Sequence, residues 1–426
     1  IIQKKEITRQ DLNTAWTIDI VIKSVFWVFL VLFSYFIASF FEQPELENAL
    51  YVGSLVLIVN ALKNPGTYLL KHDFVYRNIF WLSVIQKLVS FVVVVSIAYL
   101  FRSFWALIIA NVVASIVFTV GSYFIHAHRP SITFLNIRQQ WRFSKWLFFK
   151  GIIGYSRSQI DTLIVSKYFS PAQLGQYYMA RDIAMLPGTN LVAPAIEPLL
   201  AAYKRGREKL EMIEFQVRIS LLLVAFISIP ITTFIWFFPD AITITLLGKQ
   251  WVAASEILGV LSLLFFYSSF VLVLQQCLIA LQKVRALFFY DLVSFLLIGL
   301  LLLALVSESL VEFGLLRGLL GILTMLGLLI YTAFLINLKI VRLLGAMVPI
   351  VGSTTVALSL TLMLPNLNTQ FEGMLFDLLA KLLVYCLTYM ALVAVLIWSA
   401  TKCSQEYRAI KLFITDLFSG SKDRGV

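Results

Sequence analysis

Two arginines stand where a lipid-facing helix would not carry them. Arg157 and Asp161 lie four residues apart in Gly151-Ile152-Ile153-Gly154-Tyr155-Ser156-Arg157-Ser158-Gln159-Ile160-Asp161-Thr162, with Ser158 and Thr162 on neighbouring faces. Arg181 and Asp182 follow in Tyr177-Tyr178-Met179-Ala180-Arg181-Asp182-Ile183-Ala184-Met185-Leu186-Pro187-Gly188. Being adjacent on a helix, these two point to different faces and do not simply cancel. An ionised side chain at bilayer depth costs roughly 2.5–3.5 kcal/mol on insertion scales, so it faces a cavity or a partner. Two chemistries are open to Arg157 and Asp161. One is an ion pair that holds helices together; the other is a cation in a central cavity, offered to an anionic headgroup. Arginine suits the second task, because its planar fork meets phosphate oxygens in two places and stays charged when buried. Arg181 is read in the same way, and Lys87 and Arg317 also fall within apolar stretches. Pro187-Gly188, followed by Pro194, Glu197 and Pro198, breaks or kinks its helix. Broken helices at membrane depth are tolerated where they line a water-filled cavity, so this pair is read as a hinge.

The remaining charges inside apolar stretches have structural readings. Lys63, Lys150, Lys167 and Arg218 lie near the ends of such stretches and can snorkel. Asp19 with Lys23, and Asp377 with Lys381, are four apart and can neutralise each other. No Ser-His-Asp set, nucleotide-binding glycine loop or working carboxylate pair is visible, which argues against an enzyme. Three histidines (His72, His126, His128) and three cysteines (Cys277, Cys386, Cys403) lack metal-ligand spacing, so neither a metal nor a cofactor is expected.

The elements that must position these residues follow from composition. Of 426 residues, 60% are hydrophobic and 13% charged, and the mean hydropathy is +0.89. A water-soluble globule cannot hide that much apolar surface, so the solvent for most of the chain is lipid. A span needs about 20 mostly apolar residues. The hydropathy predicts an all-α polytopic membrane protein with about twelve such spans. They are Ala15–Phe41, Ala49–Leu70, Ile79–Phe101, Phe104–Ile125, Trp146–Phe169, Ala172–Tyr203, Val217–Phe238, Val252–Leu281, Ala286–Val306, Val311–Leu338, Leu343–Leu364 and Leu375–Ala400. With residues 1–14 placed in the cytoplasm, the inside loops collect the basic residues, from Lys4, Lys5 and Arg9 through Lys204, Arg205, Arg207 and Lys209 to Lys422 and Arg424. Outside loops hold little more than Arg102 and Lys249, and several acids. This positive-inside asymmetry supports the orientation and accounts for the net charge of +11 without nucleic acid. The loop 128–145, mixing Arg, Trp and Phe, reads as an amphipathic cytoplasmic linker. The expected division is therefore an N-terminal lobe over 1–127, the linker over 128–145, a C-terminal lobe over 146–338, an extra helix pair over 339–400 and a cytoplasmic tail over 401–426.

Several motifs, in order, carry a resemblance. They are Ile2-Gln3-Lys4-Lys5-Glu6-Ile7-Thr8 with Asp11-Leu12-Asn13-Thr14-Ala15; Gln159-Ile160-Asp161-Thr162-Leu163-Ile164-Val165; Leu174-Gly175-Gln176-Tyr177-Tyr178; Ala184-Met185-Leu186-Pro187; and Gly248-Lys249-Gln250-Trp251-Val252-Ala253-Ala254. Together they resemble the Wzx-type polysaccharide flippases of the multidrug/oligosaccharidyl-lipid/polysaccharide exporter superfamily. The resemblance implies a two-lobed exporter fold with a C-terminal helix pair. It matches the first span here to the family's third, so two family helices are expected upstream; the absence of an initial Met fits that expectation. It further implies a flippase in the bacterial inner membrane that moves an undecaprenyl-pyrophosphate-linked oligosaccharide for O-antigen, capsule or exopolysaccharide synthesis by alternating access. Arg157 and Arg181 would hold the pyrophosphate. Asp161, with Asp291, matches the place where some relatives couple to a cation. The implied partners are the lipid-linked oligosaccharide, membrane lipids and polysaccharide polymerase or assembly proteins, and a monomer is the family's default. A cation-coupled multidrug or small-molecule antiporter of the same superfamily is the alternative, and it would favour an acidic or apolar cavity. A polymerase or ligase would need a large outside loop, and a non-transporting scaffold is a further rival.

Overall fold

The computed structural model describes residues 8–72, 75–135, 137–196, 199–200, 203, 209–305, 309–365, 371–400 and 406–408. Segment 1–7, Glu197 and Pro198, the basic residues Lys204, Arg205 and Arg207, Cys403 and most of the tail 401–426 lie outside them. The regular elements among the described residues are all helices, and the chain divides into two compact units, 1–145 and 146–426.

The first unit contains α1 (Arg9–Phe40), α2 (Glu45–Ala61), α3 (Gly66–His72), α4 (Tyr76–Phe101) and α5 (Trp105–Ile125). Thr8 and Asp11 form a reciprocal capping box that starts α1. α5 packs against both α2 and α4, and α1 against α2. The second unit contains α6 (Ile137–Tyr168, which begins just before the division), α7 (Pro171–Pro187), α8 (Ala193–Ile196), α9 (Leu210–Phe237), α10 (Pro239–Leu247), α11 (Ser255–Ala280), α12 (Val284–Ala304), α13 (Leu310–Ile336), α14 (Ile340–Leu362) and α15 (Phe371–Ala400). α11 is its hub, packed against α7, α9, α12 and α13. Glycines on α13 permit the closest approach. A Cβ on Gly318 would stand 2.8 Å from the Cβ of Leu263, and one on Gly321 would stand 2.2 Å from the Tyr267 ring.

Nine helices among the described residues are long and apolar enough to cross a membrane: α1, α4, α5, α9, α11 with the short 3₁₀ turn before it, and α12 to α15. The other three expected spans differ for identifiable reasons. Ala49–Leu70 is split into α2 and α3, because Pro65-Gly66 interrupts it and the buried Asn64 side chain caps the break. Trp146–Phe169 is part of the 32-residue α6. The linker expected as its own element supplies the first turns of α6 from Ile137 onward, since Gly and Pro are absent from there to Lys150. Ala172–Tyr203 begins as the 17-residue α7, started by a capping box between Ser170 and Gln173 with Pro171 at the first turn. α6 and α7 fall short in apolarity or length, and these two helices carry the charges singled out above.

Two further features tie the second unit together. Pro230 in α9 has no N–H for the Phe226 carbonyl, and Tyr389 of α15 donates its hydroxyl to that carbonyl at 2.8 Å. Residues 406–408 are held by Arg218, which meets Glu406 at 2.5 Å and Glu214 at 3.4 Å, and by Tyr407, which donates to the Ala346 carbonyl at 2.7 Å.

Candidate functional site

The stripe Lys150, Gly154, Arg157, Asp161 repeats at intervals of four, three and four residues, so these positions share one face of α6. Arg157 and Asp161 do not pair with each other there. Each reaches another helix instead.

Asp161 is fully buried and gathers one hydroxyl donor and two guanidinium groups around one oxygen. The Tyr177 hydroxyl of α7 donates to Oδ2 at 2.8 Å. Arg317 Nε of α13 stands 3.5 Å away and Arg181 Nε of α7 stands 3.6 Å away. The Arg181 guanidinium also grips α6, donating to Gln159 Oε1 at 3.1 Å, Thr162 Oγ1 at 3.2 Å and the Ser158 carbonyl. Arg317 lies 5.6 Å from the centre of the Tyr267 ring, whose approach Gly321 permits. Neither Nε nor Nη1 of Arg317, nor Nε of Arg181, finds a hydrogen-bonding partner among the protein groups.

Asp291, at the start of α12, is the second buried carboxylate. Arg157 Nε is 3.2 Å from its Oδ1, and Lys150 Nζ is 3.9 Å from its Oδ2. Lys150 also donates to Gln275 Oε1 of α11 at 3.3 Å, and the Arg157 guanidinium lies 5.4 Å from the Tyr290 ring centre. Gly154 makes the room: a Cβ there would stand 3.2 Å from Asp291 Oδ2.

The fold thus brings together five of the eight residues proposed from sequence, as two linked groups: Arg157 with Asp291, and Arg181 and Arg317 with Asp161. Lys87 is not among them; it is an exposed residue of α4 in the first unit. Pro187 and Gly188 do not break the helix. α7 passes into a π-helical turn, Gly188–Val192, in which the Ala193 N–H returns to the Gly188 carbonyl. The side chains of Thr189 and Asn190 bond back to the Leu186 carbonyl, which keeps the wider turn continuous with α7. Sequence reasoning missed Tyr177, Gln159 and Gln275, and it assigned Lys150 to snorkelling. The seven-residue spacing of Lys150 and Arg157 is the signal that links them.

Taken together, among the described residues four cations (Lys150, Arg157, Arg181, Arg317) face two carboxylates (Asp161, Asp291), two positive charges in excess. Arginine forks in such a surplus have the chemistry to meet an anion. Residues 1–256 match the model of a family described as polysaccharide biosynthesis protein. The chain belongs to this family. The matched region includes Arg157, Asp161 and Arg181, whereas Asp291 and Arg317 lie beyond it. The chain is similar to the lipopolysaccharide biosynthesis protein WzxC of Escherichia coli (strain K12), at 23% identity over 62% of this chain and 54% of WzxC. It is similar to the teichuronic acid biosynthesis protein TuaB of Bacillus subtilis (strain 168), at 18% identity over 62% of this chain and 55% of TuaB. It is also similar to the succinoglycan biosynthesis transport protein ExoT of Rhizobium meliloti (strain 1021), at 22% identity over 57% of this chain and 51% of ExoT. The aligned part of the chain spans about half the length of these curated relatives. A solved structure, the lipid II flippase MurJ in its inward closed conformation, superposes on 93% of this chain and 86% of that one, with a TM-score of 0.72 and 14% identity. That likeness shows the fold, and the nine long apolar helices among the described residues are those of a polytopic membrane protein.

Proposed function

We propose that this chain is a transporter rather than an enzyme, and that it flips a lipid-linked oligosaccharide for polysaccharide biosynthesis. Its substrate is an undecaprenyl-pyrophosphate-linked oligosaccharide, carried across the bacterial inner membrane by alternating access. The N-terminal end of this chain and its C-terminus face the cytoplasm. The observation that carries the reading is the excess of two cations over carboxylates among the described residues where side chains of α6, α7, α12 and α13 meet. A diphosphate diester bears two negative charges, so it complements that excess, and arginine forks suit its oxygens. The family and the names of the relatives support the same class of substrate.

Arg181 and Arg157 hold the pyrophosphate in this proposal, with Pro187 and Gly188 as the hinge. Asp161 and Asp291 provide the coupling sites for a cation, because each carboxylate can exchange an arginine for a proton or metal ion as the anion arrives. The antiporter alternative would place carboxylates in excess, and the cation surplus speaks against it. Substitution of Arg181 by Ala in the full-length protein tests the proposal. Polymer export is expected to stop while membrane insertion is retained. Normal capsule or O-antigen output from Arg181→Ala would refute it.

A further inference from the structure

Lys150 has no role in the reading above beyond adding to the charge, yet its surroundings repeat those of Arg181. In each group a fully buried carboxylate faces two cations, one more enclosed than the other. On Asp161 the side chain of Arg317 is 2% exposed and that of Arg181 is 18% exposed. On Asp291 the side chain of Arg157 is 12% exposed and that of Lys150 is 23% exposed. In each group the enclosed arginine is the nearer counter-ion. The more exposed cation sits at 3.6 or 3.9 Å from the carboxylate, beyond hydrogen-bond reach, so turning to another anion costs it no hydrogen bond to that carboxylate, and Lys150 exchanges its bond to Gln275. Asp291 differs from Asp161 in one respect. Both of its oxygens are buried and neither accepts a hydrogen bond from a protein group, whereas a purely structural carboxylate normally has such donors.

The two groups lie at different depths along α6. Asp291 meets α6 at Gly154, whereas Arg181 meets it at Ser158, Gln159 and Thr162. At 1.5 Å per residue the separation is about 6–12 Å.

We propose that Lys150 is a ligand-binding residue of a second anion station, built with Arg157 and Asp291, that holds the phosphate of a prenyl-diphosphate substrate one to two helical turns from the Arg181 station. This rests on the reading that the substrate headgroup is an anionic diphosphate. An anion crossing the bilayer then finds a cation at two successive positions along α6, Lys150 of α6 itself and Arg181 of α7.

The test is a titration of farnesyl diphosphate into the purified full-length protein in phosphatidylcholine nanodiscs. Lys150→Gln is expected to raise Kd about tenfold, the effect of one lost charge-assisted hydrogen bond. Lys150→Arg is expected to restore binding, and farnesol binding and the melting temperature should stay unchanged. If Arg181→Gln weakens binding and Lys150→Gln does not, the second station is wrong and the Arg181 reading stands. If neither variant weakens binding, the anionic-headgroup reading fails with it. A parallel loss of farnesol binding and thermal stability in Lys150→Gln would reduce Lys150 to a structural role and overturn the proposal. Competition by phosphatidylglycerol in mixed nanodiscs, lost in Lys150→Gln, would assign the station to bilayer headgroups and overturn the substrate assignment.

Discussion

Asn64, in the break between α2 and α3 of the first unit, and Arg317, on α13 of the second, are both buried polar side chains, yet their surroundings treat them in opposite ways. Asn64 donates to the carbonyls of His126 at 3.1 Å and His128 at 2.8 Å, and its Oδ1 accepts the Gly66 N–H at 2.9 Å. The amide is fully employed in closing the break between α2 and α3. Arg317 meets one carboxylate oxygen at 3.5 Å and leaves Nε and Nη1 without a hydrogen-bonding protein group. The pair Asp19 and Lys23 in the first unit closes at 2.6 Å and remains about a third exposed, with side chains 39% and 29% accessible. In the second unit Asp161 and Asp291 are enclosed, and the cations around these two carboxylates stand 3.2–3.9 Å away. Neutral, saturated networks fasten helices. Charged, unsaturated ones keep binding capacity, which a transporter needs and a strut does not.

The sharpest way to break this comparison is to remove a buried carboxylate. Asp161→Ala leaves Arg181 and Arg317 without their counter-ion, and about 3–5 kcal/mol of stability should be lost. Heating in detergent, followed by size-exclusion chromatography, measures it. Adding Arg317→Met to the same chain should recover most of the loss; failure to recover would mean that Asp161 acts through packing rather than charge. Asn64→Ala should cost less, about 1–3 kcal/mol from the carbonyls and N–H left unpaired. It should leave farnesyl diphosphate affinity unchanged in the titration above. Tyr389→Phe removes only the bond to the Phe226 carbonyl, so a loss of about 1 kcal/mol is expected in the same thermal assay.

The smallest effect concerns pH. His128 lies in the segment after α5, and Nε2 meets Asn13 Oδ1 at 2.9 Å. Burial, then the neighbouring His126, Arg9 and Arg129, hold its pKa below the ordinary histidine value. The folded state therefore favours the neutral ring. Its contribution to stability is present above about pH 6.5 and is lost as pH falls through the lowered folded value. Protection of the amides over residues 126–135, taken relative to the intrinsic exchange rate at each pH, should fall on acidification from pH 7 to 5, and this fall should vanish in His128→Gln.

Much of this architecture was legible in hydropathy, because a membrane leaves a continuous helix few alternatives. The apolar helices α4, α5 and α9, and α11 to α15, follow their expected spans closely. The interruptions were legible as well: Pro65-Gly66 ends α2, and the charges of α6 and α7 mark them out. The partners were not. Arg157 and Asp161 sit at the spacing of an ion pair on one helix, but their nearest opposite charges come from α12, α7 and α13, which a local spacing cannot reveal. Pro187-Gly188 signalled an interruption, and whether that becomes a break or a π-helical turn depends on side chains such as Thr189 and Asn190 taking up free carbonyls. Lys150 looked like a residue near a span end, until the packing of Gly154 against Asp291 brought α12 within its reach.

The central claim is that the surplus cations on α6, α7 and α13 recognise a lipid-linked diphosphate during transport. Its most direct test is flipping of a fluorescent prenyl-diphosphate-linked oligosaccharide in proteoliposomes of the full-length protein, wild type against Arg181→Ala. Wild-type vesicles should move the lipid, and the variant should be slower by tenfold or more, about one charge-assisted contact. Equal rates in the two preparations would contradict the account.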